Sequence, residues 1–273
     1  MSLILGMQCV YDGSLARSPE RLARLADLVA DPRWFYRFKL VQPATIPQMP
    51  DAPRFPGQVG AGRLRDAARE ALSSPSTDSI LFSMSKKKIS DHADFNVPTG
   101  RRVIYESGST YSANAKWRLP ETPDPEAAAA AWVELQHAIV ATLGAMHGVI
   151  VTGTNAWVIQ AEIWLSLTSV DGKVMHPRPE EIQSYAAKRH LLGTQYIRKP
   201  RWGTYLKPAH VEAVGGRDKL LEVVRPPVVR DVGDLLYVQL SERVADATSE
   251  ETRARYRAFV DLVAPITMPP LVP

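Results

Sequence analysis

The segment between Arg198 and Leu240 constrains the fold more than any other part of the chain, because strand-like and helical patterns follow each other closely within it. A short helical pattern begins at Pro208 and ends at Gly215-Gly216, and proline and glycine favour those two ends of a helix. A chain that changes pattern this often must pack helices against strands locally. The segment therefore predicts a unit in which a helix covers part of a sheet.

The same segment starts with a basic and aromatic run and ends with two strand-like runs. The first run is Arg198-Lys199-Pro200-Arg201-Trp202-Gly203-Thr204-Tyr205-Leu206, which we interpret as an exposed loop. The runs Val223–Val229 and Leu235–Leu240 flank Asp231–Asp234 and predict two adjacent strands. Trp202 and Tyr205 have two interpretations. They anchor a protein interface, or they fill the core while the basic residues cover its rim.

Three longer helices are predicted from capping residues and from apolar side chains at helical spacing. The first begins at Ser18-Pro19-Glu20 and ends before Asp31-Pro32. The longest begins at Asp124-Pro125 and is expected to end at Gly148. The last begins in Thr248–Glu251, which has capping-box spacing. Its expected buried residues are Tyr256, Phe259, Val260 and Val263.

Short apolar or alternating runs predict strands elsewhere. These runs are Leu3–Val10, Trp34–Val41, Ile80–Phe82, Ala93–Val97, Val103–Tyr105 and Ala115–Leu119. The proline-rich stretch Pro43–Pro56 predicts a surface loop. Trp157–Leu167 alternates well and favours a strand, while Asn155 as a cap keeps a helix open as an alternative.

Helices and strands mix without strict βαβ alternation, so we predict an α+β fold. The expected architecture is one or two antiparallel or mixed sheets with helices packed on one side, possibly as two similar halves. We expect a single domain over residues 1–273, with a possible subdivision into 1–120 and 121–273 at the prolines between Pro120 and Pro125.

Composition excludes several classes of protein. The chain is 45% hydrophobic and 23% charged, as in an ordinary globular protein, and its formal net charge is +4 with the two signs interspersed. We therefore expect no nucleic-acid binding. The single cysteine, Cys9, lies in an apolar run and predicts a buried residue in a reducing compartment. No window approaches the roughly 20 apolar residues of a membrane span, so we expect a cytoplasmic protein without membrane contact.

Catalytic motifs are weak. The best enzymatic constellation combines Glu162 with Asp171-Gly172-Lys173, since paired carboxylates and a lysine hold a metal ion and polarise a phosphate in many nucleases. A hairpin turn explains Asp171-Gly172 without catalysis. His92 and Asp94 would share one face of a strand and could share a metal ion, although two ligands are too few for a site. We predict no catalytic residues, no bound metal and no cofactor.

One stretch resembles a known family. It comprises Arg201-Trp202-Gly203-Thr204-Tyr205-Leu206, His210-Val211, Val214-Gly215-Gly216, the strand at Val228 and Leu236-Tyr237-Val238-Gln239-Leu240. It is similar to the C-terminal half of bacterial immunity proteins that protect cells against polymorphic and type VI-secreted toxins. The family paired with restriction-endonuclease-like toxins resembles it most. The resemblance covers about the last third of the chain, and the first half agrees in the order of its elements.

The resemblance implies a protein, not an enzyme, that binds a cognate toxin, expected to be a nuclease, and neutralises it as a monomer or homodimer. Because the chain is net basic, such binding would need a local acidic patch or shape-complementary anchors. Two other hypotheses stay open: a metal-dependent enzyme and a secretion-system adaptor. The candidate toxin contacts are Asp91, Asp94, Glu180, Glu181, Glu250 and Glu251, with Trp117, Trp202 and Tyr205 as anchors.

Overall fold

The computed structural model describes residues 3–12, 18–29, 31, 40–45, 66, 69–70, 77–83, 94–98, 110–119, 124–155, 158–159 and 191–268. Within these ranges the chain forms one antiparallel sheet with helices against it, which confirms the α+β class. None of the helices that can be described there has the length and apolar character needed to cross a bilayer.

Nine strands form the described sheet. They are β1 (Ile4–Asp12), β2 (Leu40–Thr45), β3 (Thr77–Ser83), β4 (Asp94–Pro98), β5 (Thr110–Arg118), β6 (Ala145–Gly153), β7 (Gly203–Leu206), β8 (Val228–Val232) and β9 (Leu235–Gln239). Their spatial order is β2-β3-β4-β5-β1-β6-β7-β9-β8, and every neighbouring pair is antiparallel. Strand β1 pairs with both β5 and β6, so hydrogen bonds of the sheet join the parts of the chain on either side of residue 120. The single domain itself stays a prediction.

Five labelled helices pack on this sheet. They are α1 (Pro19–Val29), α2 (Pro125–Leu143), α3 (Pro208–Ala213), α4 (Gly216–Val224) and α5 (Glu250–Val263). Helices α1 and α2 share a core with alternate residues of β1, whereas α3, α4 and α5 share a second core with Leu236, Val238 and Leu240. The helices therefore cover both faces, where we expected one. Strand β9 is apolar at successive positions, so it needs cover on each side.

Helix α2 ends earlier than predicted. Asp124 caps its start, accepting a hydrogen bond from the Ala127 N–H at 2.8 Å, and Pro125 occupies the first turn as expected. At the other end Gly144, rather than Gly148, is the cap, with the left-handed φ of 59° that glycine adopts readily. The apolar run that seemed to continue the helix is β6, in which Gly148 packs against Tyr205.

Three further boundaries differ from the sequence-based expectation. Pro43 lies in β2, the last strand at one end of the described sheet, where a missing N–H is tolerated. Val223 belongs to α4, and the following strand starts at Val228. Ser249, not Thr248, caps α5, and its hydroxyl accepts from the Thr252 N–H at 3.2 Å.

Some predicted elements cannot be compared with the structure. Val103–Tyr105, Trp34–Lys39 and most of Trp157–Leu167 and Pro43–Pro56 lie outside the described residues. Val158 and Ile159 are helical, in agreement with the alternative of a helix after Asn155.

Replacing Asp124 with alanine should lower the free energy of unfolding by about 1 kcal/mol, because the Ala127 N–H loses its acceptor. Asp124→Asn keeps an acceptor oxygen and should lose less. Urea denaturation of both variants beside the parent chain measures the difference. Equal losses would contradict the capping role.

Candidate functional site

A pocket of about 220 Å³ lies between α2 and the β8–β9 hairpin. Ala129, Ala130 and Val133 of α2 form one wall, and Val228 and Val229 form another. Glu242 and Val244, which follow β9 in the sequence, close one end. The pocket is open to solvent at a mouth that carries charged side chains, while its floor is polar and aromatic.

The floor is built from His137 of α2 and from the strands beneath it. The Nδ1 atom of His137 lies 2.8 Å from the hydroxyl of Tyr205, and its ring stands edge-on to Tyr237, with centroids 4.5 Å apart. Tyr237 donates its hydroxyl proton to Oε1 of Gln239 at 2.7 Å. Gln239 in turn donates from Nε2 to the carbonyl of Ser241 at 2.7 Å. Each polar floor group thus has a partner within the protein.

Trp202 completes the floor. Its indole Nε1–H donates to Oγ of Ser241 at 2.7 Å, and that hydroxyl donates to the carbonyl of Arg243 at 2.8 Å. Because Gly203 has no side chain, the ring of Tyr237 can lie directly on β7. A Cβ at Gly203 would stand 2.6 Å from the Tyr237 hydroxyl oxygen.

Three carboxylates and a guanidinium stand around the mouth. Glu126 accepts hydrogen bonds from the N–H groups of Val244 and Ala245, both at 2.9 Å. Glu134 forms an ion pair with Arg230 across the opening. Glu242 is exposed, and the described part of the chain places no ion-pair partner against its carboxylate. Among the three carboxylates of the mouth, Glu242 is therefore the one without an ion pair in the described part of the chain.

The pKa values of the titratable floor groups are shifted away from neutral pH. Burial lowers the pKa of His137 to about 4, with Glu134 acting weakly against this and Arg230 with it. Burial also raises the pKa of both Tyr205 and Tyr237 above their usual value. At neutral pH the imidazole is uncharged and both phenols are protonated. Such groups hold a fixed hydrogen-bond network and are far from the pKa near 7 that suits a general acid or base.

His147 supports the floor from β6. Its Nδ1 lies 2.7 Å from the Tyr205 carbonyl, and its Nε2 accepts from the Arg198 N–H at 3.0 Å. This pairing makes Nδ1 the protonated nitrogen. Burial lowers the pKa of His147 to about 3, with a second contribution from His210. His137 and His147 are both buried, and each forms its hydrogen bonds within the protein.

The expected exposed loop before β7 is buried. Trp202 retains 7% of its surface exposure and Tyr205 none, and Arg201 lies beneath the ring of Tyr256, to whose hydroxyl it donates at 2.6 Å. Trp117 on β5 is also buried. Because an interface anchor must reach the surface, Trp117 and Tyr205 serve the core in this structure, and Trp202 shows only a small part of its surface, in the pocket. The core interpretation of Trp202 and Tyr205 is the one the structure supports.

The predicted acids do not come together at the pocket. Glu250 and Glu251 are exposed in the first turn of α5, where they pair with Arg257 and Arg255. Asp94 begins β4, opposite Lys116. The remaining candidates lie outside the described residues. They are Asp91, His92, Glu162, Asp171, Lys173, Glu180 and Glu181.

Apart from Trp202, the sequence analysis did not single out the pocket residues as a site, although one signal was present. Glu126, Ala130, Glu134 and His137 recur at helical spacing and form one stripe of α2. From the sequence alone that stripe predicts a solvated helix face. The structure shows that the β8–β9 hairpin lies beside it. Within the described ranges, no three histidine, cysteine, aspartate or glutamate side chains gather as a metal site requires.

Comparison with known proteins gives a likeness of fold. No protein-family model and no curated protein matches the chain. Among solved structures, the Pseudomonas aeruginosa T6SS protein PA0821 has a similar fold, with a TM-score of 0.56 and 15% sequence identity. The alignment covers 97% of this chain and 73% of that one. At this identity the likeness concerns the fold alone.

Gly203→Ala should lower the free energy of unfolding by about 1–3 kcal/mol, because the added methyl group overlaps Tyr237. The same change should cost less in a Tyr237→Phe background, where the nearest atom is gone. A double-mutant cycle by urea denaturation tests this. Identical penalties in the two backgrounds would show that the Tyr237 hydroxyl is not the obstacle.

Acid should destabilise the protein through its buried histidines. Burial lowers the pKa of His210 to about 4, and within the described part of the chain neither ring nitrogen has a hydrogen-bond partner. The unfolded chain takes up this proton near pH 6.5 and the folded chain only near pH 4. The free energy of unfolding therefore decreases as the pH is lowered from 6.5 to 4. The slope is up to about 1.4 kcal/mol per pH unit for each such group. His210→Phe should remove one group's share in urea denaturation between pH 7.5 and 4.5, and parallel profiles would contradict it.

Proposed function

We propose that this chain is an immunity protein that binds a cognate secreted toxin, a nuclease, and neutralises it by direct protein contact. The observation that carries the proposal is the fold shared over 97% of the chain with a protein named for the type VI secretion system. The resemblance of the stretch from Arg201 to Leu240 to toxin-immunity proteins points to the same biology. That stretch forms β7, α3, α4, β8 and β9.

The chemistry of the pocket supports binding rather than turnover. Its histidine is neutral and its tyrosine, Tyr237, is protonated at physiological pH, and their hydrogen bonds are made within the protein. A catalytic pocket needs a group that exchanges protons near neutrality or an activated nucleophile. A buried, well-packed floor with a polar and solvent-exposed rim is instead the general arrangement of protein interfaces.

On this proposal the chain acts in the same cellular compartment as the toxin. A nuclease toxin attacks nucleic acid in the cytoplasm, so its inhibitor acts there, as a monomer or homodimer without a cofactor. An interface of ordinary size, about 1,600 Å² of total buried surface, would suffice for tight binding.

Co-expression with the protein encoded beside its gene tests the proposal. We expect the two proteins to purify together and the growth of cells that express the neighbouring protein to be restored by this chain. Failure of both binding and protection would overturn the proposal. Binding without protection would favour the alternative of a secretion-system adaptor, which the name of the fold relative equally allows. The order of genes on the chromosome gives an independent check.

A further inference from the structure

We propose that the pocket between α2 and the β8–β9 hairpin receives an arginine side chain of the protein partner. The inference rests on the proposed role as a protein that binds another protein, and it names the chemistry of one contact. It follows from three properties of the pocket: its charge, its size and its aromatic floor.

The pocket is acidic in a chain that is basic overall. Its lining contains Glu126, Glu134 and Glu242 with the cation Arg230, and Arg243 outside the lining lies 3.9 Å from Glu126, so three negative and two positive charges leave −1, whereas the whole chain carries +4. Backbone N–H groups and Arg243 partly satisfy the charge of Glu126, and Arg230 pairs with Glu134. Glu242 keeps its full capacity to accept. A net basic chain that must bind by charge can do so here, at a local acidic site.

The pocket has the size of one long side chain. Its volume of about 220 Å³ is below the ~300–1,000 Å³ of sites that take drug-sized ligands. Its walls, at Ala129, Val133 and Val244, are apolar and suit a methylene stem. An occupant with an apolar stem and a cationic head can thus place both parts favourably.

The aromatic floor selects a planar cation. Trp202 and His137 line the bottom of the pocket and each keeps 7% of its surface exposed, whereas Tyr237 is fully buried. A cation that reaches the exposed part of such a ring is attracted to its π system. The guanidinium group stacks on rings and donates in a fixed fork to a carboxylate, whereas an ammonium group is more strongly hydrated. The floor and the carboxylate of Glu242 together therefore favour arginine over lysine. Arginine, tryptophan and tyrosine are also the residues enriched at the energetic centres of interfaces.

The site can be tested without the toxin. N-acetyl-arginine-methylamide is titrated into the ¹⁵N-labelled chain, and the Trp202 indole and the Gln239 side-chain amide are followed by NMR. We expect saturable shifts at both groups. The matched probe N-acetyl-citrulline-methylamide has the same shape without the charge and should bind roughly tenfold or more weakly. Equal binding of the two probes, or no shift at either group, would overturn the assignment of the pocket to a cation.

Two variants carry the test to the partner. Glu242→Gln removes the uncommitted carboxylate and should weaken binding of the co-encoded toxin roughly tenfold; Glu212→Gln, an exposed glutamate of α3 outside the pocket lining, should leave it unchanged. Ala130→Trp should block the mouth and abolish binding, while Ala127→Trp, exposed on the same helix but outside the lining, should not. Thermal melting of each variant confirms that it is folded.

The outcomes separate the pocket from the function. If the folded variants Glu242→Gln and Ala130→Trp both bind the toxin as the parent chain does, the pocket is not the arginine contact. The proposed immunity role would be unaffected by that result. Arginine-probe binding without any bound toxin would sink the immunity role and support a cation site in another protein contact. Loss of toxin binding in both pocket variants, with both controls intact, is the result we expect.

Discussion

Tyr205 fixes the position of helix α2 on the sheet. Its hydroxyl meets Nδ1 of His137 on α2, its carbonyl meets Nδ1 of His147 on β6, and its ring lies 4.7 Å from that of Tyr237 on β9. All four side chains are buried. A buried polar group left without its partner costs about 1–3 kcal/mol. Few alternative placements of α2 on the sheet therefore satisfy these groups, and the pocket beside the helix inherits a defined floor.

The floor residues and the rim residues of the pocket have different roles. The floor residues, from His137 to Gln239, bond to one another and stay in fixed charge states at neutral pH. The rim residues Glu134, Arg230 and Glu242 remain in contact with solvent. A rigid floor lowers the entropy cost of binding, and an exposed rim supplies charge that a partner can recognise. This division suits recognition, because the parts that define shape are not those that meet the partner first.

Local patterns anticipated much of the fold. Ser18-Pro19 and Asp124-Pro125 begin helices, and the runs at Leu3, Ile80 and Leu235 form strands. These predictions succeed because caps and alternation depend on neighbours along the chain. The strand after Gly144 was missed, since an apolar run beyond a helix fits either a longer helix or a buried strand. The run from Arg201 to Leu206 was misread because a strand buried on both faces does not alternate.

The sequence by itself determined the α+β class, the starts of the longer helices and the aromatic and basic content of the segment around Trp202. Only the tertiary structure decided that this segment lies in the core, that helices cover both faces, and that a stripe of α2 faces Arg230 and Glu242 across a pocket. The reason is physical. Hydrogen-bond caps and hydrophobic periodicity are set by residues a few positions apart, whereas a pocket forms from elements that meet only after the sheet has assembled.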